Sequence, residues 1–156
     1  MQKKFLVTLL VFSCVFIAQK ASAQEDSKKV SPVLNHIAVY VVDLNRSTKF
    51  YQNIVQLDTI PEPFHDGRHT WFAIGPVSHL HIIQGAKAIS DHDKNTHLCF
   101  TVPSVPDFIK TLELNKISYE NWAGAKMQMT KRVDGVFQIY FQDPDGYWVE
   151  INDAKD

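Results

Sequence analysis

The chain has 156 residues, of which 45% are hydrophobic, 21% charged and 12% aromatic, with a formal net charge of −1. That apolar and aromatic content excludes a disordered chain, and no glycine period suggests a fibre. Two cysteines, Cys14 and Cys99, make no disulfide scaffold, and the balanced charge gives no general attraction for nucleic acid.

The N-terminus reads as a targeting segment. Lys3 and Lys4 give a basic start, residues 5–18 are apolar apart from Thr8, Ser13 and Cys14, and Ala21-Ser22-Ala23 precedes Gln24. This is the pattern of a secretory signal peptide over 1–23, and its apolar run, 5–18, is short for a membrane-spanning helix. An uncleaved anchor, or lipidation at Cys14, are the alternatives. Cleavage after Ala23 removes Lys3, Lys4 and Lys20, leaving 13 basic against 17 acidic residues and a net charge of −4. Cys99 is then the sole thiol, and the mature protein is expected in the periplasm or medium with no stable membrane insertion. Residues 24–31 (QEDSKKVS) read as a short disordered leader.

The remainder, 32–154, is one domain written as two similar modules. Residues 34–42 are β-branched and apolar, predicting a strand, and Asp43 caps a helix with Leu44, Phe50, Tyr51, Ile54 and Leu57 at helical spacing. Strands are expected near 58–60, 69–74 and 79–84, punctuated by Gly67, Gly75-Pro76 and Gly85. The second half repeats the order: a strand at 97–102, then a helix capped by Ser104 with Pro106 in its first turn. Strand candidates follow near 118–121, 127–133, 136–142 and 147–152. His36 and His97 each stand seven residues before their helix cap, and residues 72–81 align with 141–150 without a gap. An internal repeat of this kind predicts an α+β fold of two βαβββ modules, at about 34–86 and 96–153.

Several stretches carry a further resemblance: Asn35-His36-Ile-Ala-Val-Tyr-Val, Asp43-Leu-Asn-Arg-Ser-Thr-Lys-Phe-Tyr51, Leu80-His81-Ile, Thr96-His97-Leu-Cys-Phe and Asp143-Pro-Asp-Gly-Tyr-Trp-Val-Glu150. Together they resemble the vicinal oxygen chelate superfamily, which includes glyoxalase I, bleomycin- and fosfomycin-resistance proteins, methylmalonyl-CoA epimerase and extradiol dioxygenases. The resemblance implies curved mixed sheets around a metal-binding cleft, formed within one chain or between two, and favours a homodimer.

In that superfamily the metal ligands sit on the first and last strands of each module. Carried onto this chain they are His36, His81, His97 and Glu150. Imidazole and carboxylate suit one divalent ion, whether Zn, Ni, Fe, Co or Mn. His79 competes with His81, since both point to one face of a strand; His81 is favoured because it aligns with Glu150 where His79 aligns with Trp148. His65, His69 and His92 fall in loops or at loop edges and read as surface residues, with a cleft role open for His69 beside Trp71. Arg68, Trp71 and Tyr140 are candidates for the substrate-binding wall, with core packing the alternative for the aromatics.

Four protein ligands on a six-coordinate ion leave two adjacent positions for two neighbouring oxygens of a small molecule. A Lewis acid there, with Glu150 as both ligand and proton carrier, is suited to lyase or isomerase chemistry of the glyoxalase I (lactoylglutathione lyase) and epimerase kind. Two other readings stay open. His36, His97 and Glu150 alone make the two-histidine, one-carboxylate set of an Fe(II) extradiol dioxygenase, a set that fosfomycin-type thiol transfer shares. A non-enzymatic small-molecule binding protein is the third. Export argues against a glutathione adduct as substrate, because glutathione is mainly cytoplasmic.

Overall fold

A computed structural model describes residues 30–155, so the expected signal peptide and most of the leader lie outside the described residues. All the elements below belong to the unit Val33–Asp156. The first module runs β1 (His36–Val41), α1 (Leu44–Asn53), β2 (Thr59–Ile60), β3 (His69–Ala73) and β4 (His79–Gln84). The second runs β5 (His97–Thr101), α2 (Val105–Leu114), β6 (Thr130–Lys131), β7 (Phe137–Gln142) and β8 (Trp148–Asn152). Both helices start where the caps were expected. The Asp43 carboxylate accepts from Arg46 N at 2.9 Å and the Ser104 hydroxyl from Asp107 N at 3.2 Å, satisfying amides that have no partner within the helix.

Each module makes a four-stranded mixed sheet, ordered β1-β4-β3-β2 and β5-β8-β7-β6. The first strand of each lies parallel to the last, and the other pairs are antiparallel. Alternation along the strands gives each sheet two chemically different faces. One face is apolar and takes the helix. In module one Val39, Val41, Phe72, Leu80 and Ile82 are buried with Tyr51 and Val55; in module two Ile139, Phe141, Val149 and Ile151 are buried with Val105, Phe108 and Leu112. At about 1.5–3 kcal/mol for each fully buried large apolar side chain, these clusters dominate the stability. The opposite, open faces carry the strand histidines His36, His69, His79, His81 and His97, together with Glu150.

The modules interlock. Leu98, Phe100 and Tyr147 pack against the first cluster, while Ile54 belongs to the second. The Asp143–Gly146 turn docks on the start of α1. Asp145 Oδ1 accepts from Val42 N at 2.7 Å and Oδ2 from Ser47 Oγ at 2.6 Å, and Tyr51 donates its hydroxyl to Asp143 Oδ2 at 2.8 Å. Burial raises the proton affinity of both Tyr51 and Asp143.

Two strand expectations need correction. Residues 118–121 form no strand; only Glu120 bridges, to Lys126 and to Tyr140. The chain turns immediately afterwards, with Asn121 Oδ1 accepting from Ala125 N and Gly124 at φ 87°. The strand near 127–133 contracts to Thr130–Lys131, because Met127 adopts φ 53° and the chain reverses at Gly135. The surface reading of two histidines is also revised. The His69 side chain is only 15% exposed and opens β3, with its ring against Phe64, and the His92 ring stacks on Tyr147 at 3.9 Å. His65 is solvent-exposed as expected.

Candidate metal centre

On module one's open face, His36 and His81 stack nearly parallel with ring centroids 4.3 Å apart, and Trp71 lies on the other side of His81 at 3.9 Å. The reason is register: β4 is central between β1 and β3, and His81 stands opposite Ala38 on one side and Trp71 on the other. His36 Nδ1 is 2.8 Å from Asn35 Oδ1. A carbonyl oxygen only accepts, so this contact favours the tautomer with hydrogen on Nδ1, the one that offers Nε2 to a metal. His81 is 8% exposed, and its Nε2 is buried with no hydrogen-bond partner. Burial, and then the nearby His36, lower the proton affinity of His81, which favours the neutral imidazole that a metal needs.

Module two repeats the arrangement with a carboxylate. Glu150 stands opposite Cys99 and Tyr140, and His97 Nε2 is 3.2 Å from Glu150 Oε2. His97 Nδ1 faces the Lys94 carbonyl at 2.8 Å, so here too Nε2 is turned to the site. Tyr140 donates its hydroxyl to Glu150 Oε2 at 2.5 Å, and Asn152 Nδ2 donates to Oε1 at 3.0 Å. Asn152 is itself oriented by Thr101, whose hydroxyl donates to Asn152 Oδ1 at 3.0 Å. Burial disfavours the Glu150 charge, but the hydrogen bonds from Tyr140, Asn152 and Cys99, together with His97, outweigh it and hold the carboxyl below its usual range. The same burial and the same carboxylate push the Tyr140 phenol up and the Cys99 thiol up to about 12.

The four candidate ligands thus stand as two pairs, His36 with His81 and His97 with Glu150. Among the described residues no three His, Cys, Asp or Glu side chains converge closely enough to hold a metal ion. In the sheet register His36 pairs with His79 as His97 pairs with Trp148, which leaves His81 as the positional counterpart of Glu150. His79 borders the pair, 6.2 Å from the His81 ring. Trp71 and Tyr140 lie on the open faces. Arg68 does not: its guanidinium donates to the Gln84 carbonyl at the exposed end of β4, at 3.1 Å from Nη2.

Sequence reasoning missed three contributors. Asn152 was detectable, since period-two alternation puts it on the same face as Glu150. Asn35 was visible as the neighbour of His36, but its role depends on a side-chain angle. The Lys94 carbonyl is a backbone atom and leaves no signal in residue type.

The sequence model of the Glyoxalase/Bleomycin resistance protein/Dioxygenase superfamily matches residues 33–151. The chain belongs to that superfamily. It is 25% identical to a lactoylglutathione lyase of Pseudomonas putida, over 83% of this chain and 90% of that protein. It is 28% identical to the metallothiol transferase FosB of Staphylococcus epidermidis, over 76% of this chain and 80% of that protein. Among solved structures, the fosfomycin resistance protein FosX of Listeria monocytogenes superposes with a TM-score of 0.64 at 24% identity, covering 81% of this chain and 96% of that one. These likenesses give the fold and the superfamily; they span several chemistries.

Proposed function

We propose that this protein is an exported, metal-dependent lyase or isomerase of the glyoxalase I and epimerase kind, acting on a small substrate with two neighbouring oxygens. The observation that carries the reading is the pair of matched half-sites. Each open face presents two candidate ligands: His36 and His97 use Nδ1 for a neighbouring oxygen and leave Nε2 for a ligand role, and His81 Nε2 is buried and unpartnered. A buried polar atom without a partner is costly unless something binds it, and a His₃Glu donor set fits one divalent cation. Two half-sites in one chain are completed by a second copy, with His36 and His81 of one facing His97 and Glu150 of the other, so we read the protein as a homodimer. The basic start, apolar run and Ala-x-Ala motif support export.

A divalent ion bound there supplies Lewis-acid polarisation of substrate oxygens. The chain's own residues do the rest. Glu150 is the one carboxylate of the set, and its Oε2, shared by Tyr140 and His97, is the atom suited to exchange a proton with substrate carbon. The Tyr140 hydroxyl tunes that oxygen: while it donates, Glu150 is a weak base, and when it turns to the substrate, the basicity of Oε2 rises. Asn152 keeps the other oxygen in place.

The test is metal analysis of the purified mature protein beside His36→Ala and Glu150→Ala variants. Each variant alone is expected to lose the metal. Mixing the two and allowing subunits to exchange restores roughly a quarter of the sites, because random pairing makes about half the dimers mixed and each mixed dimer has one intact site. A site closed within one chain would gain nothing on mixing. Zinc, nickel, cobalt or manganese with turnover of α-hydroxycarbonyl or hemithioacetal substrates supports the lyase reading; iron with ring cleavage of catechols replaces it with an oxygenase. Retention of a small molecule through purification with no product formed would favour a binding protein.

A further inference from the structure

Lys94 lies in the connection between the modules, three residues before His97, and its ammonium is folded inward: the side chain is only 17% exposed. It reaches across the ends of three strands. Its backbone carbonyl faces His97 Nδ1 at the start of β5, and its Nζ lies 4.8 Å from the centre of the Trp148 ring on β8 and 5.7 Å from that of Tyr140 on β7. There it donates to the Glu120 carboxylate, with the Asn121 and Trp122 carbonyls each at 3.4 Å. Glu120 is 6% exposed, and its backbone exchanges both hydrogen bonds with Tyr140, each at 2.8 Å. The near end is fixed as well. Asp93 accepts from Asn95 N at 2.8 Å and from Thr96 N at 2.9 Å, and Trp148 donates its indole N–H to the His92 carbonyl at 2.9 Å. Stability does not explain a charge in such a place, since replacing a buried ion pair by apolar groups of similar volume is often neutral. What the ammonium adds is direction, because it is drawn to a carboxylate and to two ring faces at once.

We propose that Lys94 is a positioning residue for module two's half-site, a strut that sets His97 and Tyr140 at a fixed spacing before an ion binds. One residue meets the outer contacts of both candidate ligands. Its carbonyl takes the His97 ring nitrogen that is not left for a metal. Its ammonium anchors the segment with which Tyr140 is paired, and Tyr140 in turn donates to Glu150 Oε2. The Tyr140 ring is boxed by the ammonium, by the edge of His97 at 5.5 Å and by Trp122 at 5.5 Å. Without the ammonium one wall of that box is gone, the hydroxyl is free to turn from Glu150, and the carboxylate loses a donor. Binding must then order groups that are otherwise held in advance, which lowers metal affinity. Lys126 also reaches Glu120, with 68% of its side chain exposed, and makes a control for the charge at that carboxylate. The inference rests on the proposed metal site, and the Tyr140–Glu150 contact can be read without a metal.

The experiment measures zinc affinity of the mature protein by chelator competition. Beside it, NMR of the metal-free protein follows the Tyr140 Cζ chemical shift, which reports the hydrogen bond of the phenol. Lys94→Met keeps the apolar stem and removes the charge; it should lower zinc affinity about tenfold and move the Cζ shift towards that of free tyrosine. Glu120→Gln is a second variant should Lys94→Met fold poorly: it leaves the backbone pairing with Tyr140, removes the charge that draws the ammonium, and should shift both readouts the same way. Lys126→Met should stay within about twofold of wild type. In the double variant Lys94→Met with Tyr140→Phe the losses should not add, because both changes act through one hydroxyl. Fully additive losses, an unchanged Cζ shift, or a zinc affinity of Lys94→Met within about twofold of wild type overturns the inference. So does an equal loss in Lys126→Met, because charge at Glu120, not the placement of the Lys94 ammonium, is then responsible. A wild type that takes up no zinc overturns the metal site alone, and the Cζ shift still decides the role of Lys94.

Discussion

Trp71 and Tyr140 occupy equivalent places in the two modules, each directly opposite the candidate ligand on the last strand: Trp71 across from His81, Tyr140 across from Glu150. The repeat has diverged in chemistry while keeping this geometry. In module one the aromatic ring stacks on an imidazole; in module two it donates a hydrogen bond to a carboxylate. Each aromatic fixes its ligand by the means that ligand allows.

Tyr140→Phe tests that coupling. Removing the hydroxyl strips Glu150 Oε2 of a donor, and loss of an outer contact to a ligand is expected to weaken metal affinity by about tenfold or more. The pH behaviour follows. The folded Glu150 carboxyl lies below its ordinary value, so its contribution to stability is present above the ordinary carboxylate range and is lost as pH falls through the lowered value. In Tyr140→Phe the folded value moves back up, and that acid-sensitive contribution shrinks. Metal titration of the two proteins measures the first effect, and chemical denaturation of the metal-free proteins between acidic and neutral pH measures the second.

His81 gives a second pH signature. Its folded proton affinity is lowered, chiefly by burial, so the unfolded chain takes up a proton at a pH where the folded chain does not. Stability of the metal-free protein should therefore fall as pH drops through the ordinary imidazole range. His81→Gln should flatten that part of the profile, and an unchanged slope would show that another group is responsible.

Asp145 joins the modules. It is 2% exposed and receives Val42 N, Ser47 Oγ and Arg46 Nη2. Asp145→Ala leaves buried donors unpaired and is expected to cost about 2–3 kcal/mol. Arg46→Ala should cost less than about 1 kcal/mol, since that partner is half in solvent. Urea midpoints at constant m-value separate the two.

Cys99 lies at the surface, but its thiol is expected to react slowly. Partial desolvation and the neighbouring Glu150 push it up to about 12, and Asn152 Nδ2 donates to its sulfur at 3.2 Å. Labelling by a disulfide reagent near pH 8 should be slower than that of a free thiol by about two orders of magnitude. Glu150→Gln removes one cause of the shift and should speed it. Rapid labelling of wild type would mean that Sγ is not held beside the carboxylate.

Much of this architecture is legible in the chain of letters. The caps Asp43 and Ser104, the strand His79–Gln84 and the repeat spacing all depend on local conformation, and period-two alternation alone puts His36, His97 and Glu150 on a shared kind of face. The strand expected at 118–121 failed because local β-propensity ignores the turn that Asn121 and Gly124 impose. Arg68 was misplaced because a long side chain at a strand end goes to whichever acceptor is free, here the Gln84 carbonyl. The repeat in the sequence therefore determined which residues are equivalent. Only the tertiary structure decided that they stand as two pairs on two open faces, because the packing of helices and of the Asp143–Gly146 turn, not strand periodicity, sets how one module lies against the other.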